Sequence, residues 1–331
     1  MGERTDIDAL DPTLDVGDAP TLASDSARDR SMPGIAVAPL EPGVRLGRYR
    51  LGNRLGAGAM GVVWAARDPN LDRPVAIKVV HPEFARAPDA AARLLREARA
   101  MAKVSHPGVV AVYDAGQAGE QLFLAMELVP GTTLGKLMRE RTAAELADWR
   151  RWLAMLVDAG RGLAAAHAAG IVHRDFKPDN VLVGAGGRVC VGDFGVAELS
   201  LVPRGAEVAP GASVDNLSIA DLTMTGALLG TPAYMSPEQL RGQDADARAD
   251  QFSFCASAFE ALYGVRPFAL PPRTDPSPVT TLIAAIEGGQ LQPPPRDARV
   301  PRAIHDAIVR GLAPAPGARW PSMDALLAAL A

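Results

Sequence analysis

Residues 173–180 read His-Arg-Asp-Phe-Lys-Pro-Asp-Asn, and Asp193-Phe194-Gly195 follows downstream. In that order the chain offers a carboxylate able to act as a base (Asp175), an amide able to bind a metal ion (Asn180) and a second metal-binding carboxylate (Asp193). Phosphoryl transfer asks for these groups: one to receive a hydroxyl proton, and oxygen ligands for the cation that neutralises phosphate. A polar surface turn is the plain alternative for 173–180. It accounts for Pro178 and Asp179, but not for Asp193 placed just after the strand-like stretch Arg188 to Val191. His173 has no evident triad partner or metal cluster and reads as structural.

Two upstream features extend this chemistry. Gly56-Ala57-Gly58-Ala59-Met60-Gly61-Val62-Val63 fits GxGxxGxV. Glycines let backbone amides approach phosphate oxygens with no side chain in the way. Alone the pattern also fits a hairpin turn or a dinucleotide fingerprint. The fingerprint needs a helix directly after the glycines, whereas Val62-Val63-Trp64 is strand-like, so a flap between two strands fits better. Lys78 ends the apolar run Val75-Ala76-Ile77. Burying a lysine there costs free energy unless it is paired; the alternative is an edge lysine that reaches water. Glu97, on the next helical stretch, is the natural partner, and Glu83, beside Pro82, is the second choice.

The elements that must hold these groups fall into two parts. Strand patterns cover Tyr49 to Leu55, Val62 to Ala66, Val75 to Val80, Val109 to Tyr113 and Leu122 to Leu128, with one helical stretch from Ala87 to Val104. After Pro130-Gly131 the chain turns helical, near Thr133 to Arg139, Ala143 to Ala169, Ala247 to Tyr263, Val279 to Glu287, Arg302 to Leu312 and Met323 to Leu330. The expectation is an α+β, two-lobe fold: a small lobe over 46–130 with a five-stranded antiparallel sheet and one helix, and a mainly helical lobe over 131–331. The motifs then lie on loops facing a cleft. Residues 1–45 carry Asp6, Asp8, Asp11, Asp15, Asp18, Asp25 and Asp29 without aromatics or periodicity. They read as a disordered acidic tail.

Composition excludes several classes. The 331 residues are 48% hydrophobic and 22% charged, with a formal net charge of -4, which gives no reason to expect nucleic acid or an anionic membrane as partner. Cys190 and Cys255 lie in apolar surroundings without metal-ligand spacing and read as reduced thiols. No signal peptide opens the chain and no apolar run reaches spanning length, so the expectation is a soluble, cytoplasmic protein.

Taken together, these motifs resemble bacterial eukaryotic-type serine/threonine protein kinases over about residues 48–331. Further segments carry the likeness. Gly230-Thr231-Pro232-Ala233-Tyr234-Met235-Ser236-Pro237-Glu238 resembles the segment that receives the substrate and ends the activation loop, here 193–238. Asp250 resembles the helix residue that braces the catalytic loop, and Arg319 the late arginine that pairs with Glu238. The resemblance implies transfer of the ATP γ-phosphoryl group to Ser or Thr hydroxyls of proteins in a bacterial signalling pathway, with autophosphorylation. It implies Asp175 as base, Lys177 on the γ-phosphate, Lys78 held by Glu97, and Mg2+ (or Mn2+) on Asn180 and Asp193. It places nucleotide against Leu55, Gly56, Gly58, Gly61, Val63, Ala76, Lys78, the gatekeeper position Met126, and the hinge from Glu127 to Val129. Phe194 is expected under the small-lobe helix. Transient pairing of two kinase copies also belongs to this picture.

Departures are few. Phe176 stands where leucine is commoner, and Ser236 where alanine is. The loop after Gly195 is long, with a Pro-, Gly- and Ala-rich insert around Pro203 to Asp215 expected to be disordered. Thr223 and Thr225 are candidate phosphorylation sites whose charge could pair with Arg174. A pseudokinase scaffold usually lacks the lysine, the base or the metal aspartate; Lys78, Asp175 and Asp193 are all present. A small-molecule phosphotransferase fits the upper lobe, but 230–238 favours protein substrates. The chain stops close to its last helix, so input is expected through the tail, the long loop or a partner.

Overall fold

The computed structural model describes residues 40–58, 61–85, 90–194, 232–272 and 274–331. The expected tail over 1–39, Ala59 and Met60 of the glycine turn, and most of the long loop lie outside the described residues. The small lobe is built on strands β1 (Arg45–Leu46), β2 (Tyr49–Gly58), β3 (Gly61–Asp68), β4 (Arg73–Val80), β5 (Val112–Ala118) and β6 (Gln121–Glu127). They form one antiparallel sheet in the order β1-β2-β3-β4-β6-β5.

The sheet therefore has six strands, not the five expected. The sixth arises because Leu46 and Tyr49 face each other across a tight turn and are both buried, at 3% and 1% exposure. Residues 40–45, expected to belong to the tail, are part of the fold for the same reason. Leu40 packs on this apolar cluster, the Gly43 amide donates to Leu51 O at 2.8 Å, and the Leu51 amide donates to Val44 O at 2.9 Å.

Helices α1 (Pro82–Ala85) and α2 (Ala90–Met101) follow β4, and α2 buries Leu94, Ala98 and Met101. The strand expected over 109–113 is displaced. β5 starts at Val112, while Val109 and Val110 join the lower lobe instead. The Val110 amide donates to Val191 O, and the Val191 amide to Gly108 O, each at 2.9 Å.

The lower lobe contains α3 (Leu134–Glu140), α4 (Ala143–Ala147) and α5 (Trp149–Ala168). A three-stranded ladder, β7 (Gly131–Thr133), β8 (Val181–Gly184) and β9 (Val189–Val191), carries the motif loops. It continues with α6 (Pro237–Leu240), α7 (Ala247–Tyr263), α8 (Pro278–Glu287), α9 (Arg302–Gly311) and α10 (Met323–Leu330). The long helix expected over 143–169 is two helices. Asp148 adopts a non-helical backbone and caps α5 through the Arg151 amide. Thr142 and Glu145 form a capping box on α4, and Trp152 Nε1 donates to Glu145 O at 2.7 Å across the break. On α5, Gly162 lies so close to the loop after α2 that a Cβ there would fall 2.0 Å from Gly108 O. Two backbones touch directly at that point. Among the described residues no helix is long and apolar enough to cross a membrane.

Helix α7 is buried on all sides, which marks it as the axis of the lower core. Its serines are satisfied within the helix, Ser253 Oγ donating to Ala249 O and Ser257 Oγ to Ser253 O. One end of α7 is held by a buried ion pair between Arg319 and Glu238, with bonds of 2.6 and 2.9 Å. Arg319 spends its remaining N–H groups on the carbonyls of Ala313, Arg248 and Pro314. All five guanidinium donors are thus used. Lysine has neither the planar fork nor the donor count. Arg319→Lys is expected to lower stability by about 3 kcal/mol, read as a fall in Tm; a change under about 0.5 kcal/mol would contradict this account.

Candidate active site

The loop after α5 is shaped by backbone bonds to one buried carboxylate. Asp250 of α7 is fully buried and accepts from the His173 amide at 2.7 Å, the Arg174 amide at 2.8 Å and His167 Nε2 at 2.8 Å. Arg174 has φ +65°, a left-handed conformation that costs a non-glycine residue about 1–3 kcal/mol. The fixed acceptor makes that conformation affordable. From the other side Gln239 Nε2 donates to Arg174 O at 2.6 Å. Gln239 is itself oriented by a capping box with Ser236 at the start of α6.

His173 ties this loop to the segment before Asp193. Its Nδ1 accepts from the Asp175 amide at 3.2 Å, which leaves Nε2 to donate to Gly192 O at 2.9 Å. Phe176 is 1% exposed and packs edge-on to His173 and against Phe254 of α7. Phe194 is buried and packs on His173 at 4.5 Å between ring centroids.

The polar groups converge on Asp175. Lys177 Nζ reaches both of its carboxylate oxygens, at 2.8 and 3.1 Å. Asn180 Nδ2 donates to Asp175 O at 2.8 Å and to Asp175 Oδ2 at 3.2 Å. Both amide hydrogens of Asn180 are thus used inside the loop. The Gly192 amide donates to Asn180 O at 2.9 Å, which sets Asn180 beside Asp193. Asp193 has φ +61°, a second strained residue. One carboxylate and one amide oxygen suit a magnesium ion that keeps phosphate and water among its ligands. Among the described residues no group of three or more His, Cys, Asp and Glu forms a closed metal cage.

Lys78 differs from expectation. Its side chain is 7% exposed and its Nζ lies 3.0 Å from Asp193 Oδ2, not on Glu97. A buried ammonium takes the nearest carboxylate, and here that group is the metal candidate. Burial raises the Asp193 carboxyl, but the Lys78 charge outweighs it and holds it below the usual carboxylate range. Glu97 sits among Arg93, Arg96 and Arg174, with Oε1 buried and unbonded. Burial outweighs these arginines and pushes its carboxyl up to about 7.

The structure gathers most of the expected nucleotide wall. Val63, Ala76, Met126 and Val129 share one apolar cluster with Ala98, Leu124 and Cys190. Leu55, Gly56 and Gly58 lie on the exposed end of β2, and Gly58 faces Gly61 across the hairpin. Gly61 is required as glycine: φ is +158° and a Cβ would fall 2.1 Å from Val79 O. Glu127 turns its side chain to Arg188, whose guanidinium holds the carboxyl below the usual range. Thr223, Thr225 and Thr231 lie outside the described residues. Sequence reasoning missed Leu182, which joins the apolar wall from β8, and Gln239. Leu182 is the second residue after Asn180, on the strand that leaves the loop, on the opposite face from the fully buried Val181; Gln239 gives no local signal.

A small sheet above helices, with a base, an amide and a carboxylate on adjoining loops, defines a phosphotransferase cleft. Comparison with known proteins narrows the class. The protein kinase domain family matches residues 49–327. The chain is 36% identical over 281 residues to the serine/threonine-protein kinase PknA of Mycobacterium tuberculosis (strain ATCC 25618 / H37Rv), a match covering 83% of this chain and 59% of PknA. It is 36% identical over 277 residues to PknB of Mycolicibacterium smegmatis, covering 82% of this chain and 41% of PknB. The chain thus spans under two thirds of the length of these relatives. The crystal structure of the Mycobacterium tuberculosis PknI kinase domain superposes with TM-score 0.64 at 27% identity, over 88% of this chain and 98% of that one. The chain belongs to the protein kinase domain family.

The raised Glu97 pKa has a stability consequence. Between about 4.5 and 7 the folded chain keeps a proton that the unfolded chain releases, so this group's contribution falls as pH climbs through that window. Glu97→Gln, which cannot ionise, is expected to raise Tm above pH 7, with the gain shrinking as pH falls toward 4.5. Thermal melts of both proteins across this range check it; a gain independent of pH would contradict it.

Proposed function

We propose that this chain transfers the γ-phosphoryl group of ATP to serine or threonine hydroxyls of protein substrates, its own long loop included. The observation that carries this reading is the convergence of Lys177, Asn180 and Asp175 beside Asp193 and Lys78. Asp175 orients the acceptor hydroxyl and receives its proton. Lys177, already on that carboxylate, offsets charge on the transferred group. A divalent cation, magnesium or manganese, supplies neutralisation of the phosphates when held by Asn180 and Asp193. Lys78 leaves Asp193 to contact phosphate, and Glu97 is its partner in that state. The apolar wall of Val63, Ala76, Met126 and Leu182 takes the base of the nucleotide, and the glycine hairpin of β2 and β3 covers its phosphates.

Phosphate on Thr223 or Thr225, paired with Arg174, is the regulatory part of this proposal, and transient pairing of two copies is the route by which one chain modifies another. A bacterial signalling role is part of the same proposal, supported by likeness to bacterial proteins named serine/threonine-protein kinases.

The test is incubation with labelled ATP, magnesium and a generic protein substrate, followed by phosphoamino-acid analysis. Asp193→Asn is expected to reduce labelling by about a hundredfold or more. Equal labelling by both proteins, label confined to tyrosine, or none by either would overturn the proposal. Gln239→Leu removes the bond to Arg174 O while keeping size. It is expected to lower kcat by about three- to tenfold, with KM for ATP unchanged; a change in KM alone would argue against a positioning role.

A further inference from the structure

Asp179 lies in the same loop as Asp175, in the turn just before Asn180, and its side chain is 47% exposed. Its Oδ1 accepts from Arg139 Nη2 of α3 at 2.9 Å. Gly135 of α3 makes room for this approach, since a Cβ there would stand 2.3 Å from the same oxygen. The carboxylate is therefore drawn onto α3 and covered by a guanidinium from its own chain. Tyr234, in the 232–234 turn of the segment that receives substrate, lies within electrostatic range of both Arg139 and Asp179. The Tyr234 hydroxyl donates to Glu260 Oε2 at 2.6 Å, and Arg266 Nε stands 3.5 Å from Glu260 Oε1. Asp175 carries Lys177. Among the described residues, each of these three carboxylates on the acceptor rim already faces a cation of this chain.

We propose that the Arg139–Asp179 ion pair sets substrate selection, by cancelling the carboxylate beside the acceptor site so that flanking arginine or lysine in the substrate gains nothing. The inference rests on the kinase reading of the same site. Its logic is competitive. A substrate guanidinium could reach Asp179 only by displacing Arg139, and trading one exposed pair for another yields no net attraction. Removing Arg139 would expose the carboxylate and convert the rim to a basic-residue subsite. Exposed ion pairs are worth up to about 1 kcal/mol, so the change in preference is modest, about fivefold, and salt screens it.

The experiment measures kcat/KM on threonine acceptor peptides in which arginine is scanned through each flanking position, against the same peptides with glutamine. The unaltered chain is expected to give ratios near one throughout. Arg139→Gln is expected to favour arginine about fivefold at one or two positions, with the gain fading as salt is raised. Adding Asp179→Asn to Arg139→Gln is expected to return the ratios to one, which separates a local charge effect from a general loss of folding. Ratios in Arg139→Gln equal to those of the unaltered chain, with both active on the glutamine peptides, would overturn this inference alone. So would an unaltered chain that already prefers arginine as strongly. No transfer by the unaltered chain to any peptide or protein would overturn the kinase reading and this inference with it.

Discussion

The catalytic loop depends on one buried carboxylate. Asp250 sits in the most enclosed helix among the described residues and is made tolerable by three hydrogen-bond donors. Two of those donors are consecutive backbone amides, so the same bonds that satisfy Asp250 fix the direction in which the chain leaves α5. Arg174 then adopts its left-handed turn, and Asp175, Lys177 and Asn180 fall on one side. Gln239 closes the arrangement from the carbonyl side and links it to the ion pair of Glu238 with Arg319. The result is a chain of satisfied polar groups running from the lower core to Asp175.

Above that loop the charges are arranged less firmly. Lys78 has a choice between two carboxylates, and its partner in this structure is Asp193. Glu97 is left among arginines with an oxygen buried and unbonded, and its carboxyl rises toward neutrality as a consequence. The lower lobe thus holds its groups through saturated bonds, while the small lobe holds its own through exchangeable ones. A site that must admit and release a highly charged ligand needs the second kind of contact where the phosphates enter.

Much of this was legible in the sequence, and the reason differs by element. The loop at 173–180, Asp193 and Lys78 were readable because the chemistry restricts residue type at fixed order. Helix α9 was readable because its apolar positions repeat along the chain, and α7 because a long apolar run ends at Gly264. The break at Asp148 was not, since an Ala- and Leu-rich run looks continuous until one sees Trp152 donate back to Glu145. The sixth strand was hidden by its length of two residues. The partner Lys78 takes in this structure was not legible because two carboxylates distant in sequence compete for one ammonium, and only their positions in space decide between them. Gln239 was invisible for a related reason: its target is a backbone atom 65 positions away.

The contact between Gly108 and Gly162 bears on how the two lobes move. Residues 108–110 follow α2 in sequence and precede β5 and β6 of the small lobe, yet their backbone is laced to Val191 and seated against α5. They travel with the lower lobe. Any rocking of the sheet must therefore turn about a fulcrum at these residues as well as about the linker near Pro130. The two crossings lie side by side, Arg188 bonding both Val109 O and the Glu127 carboxylate, and α2, anchored at the end that leads into this fulcrum, sweeps least near Met101 and most near Ala90.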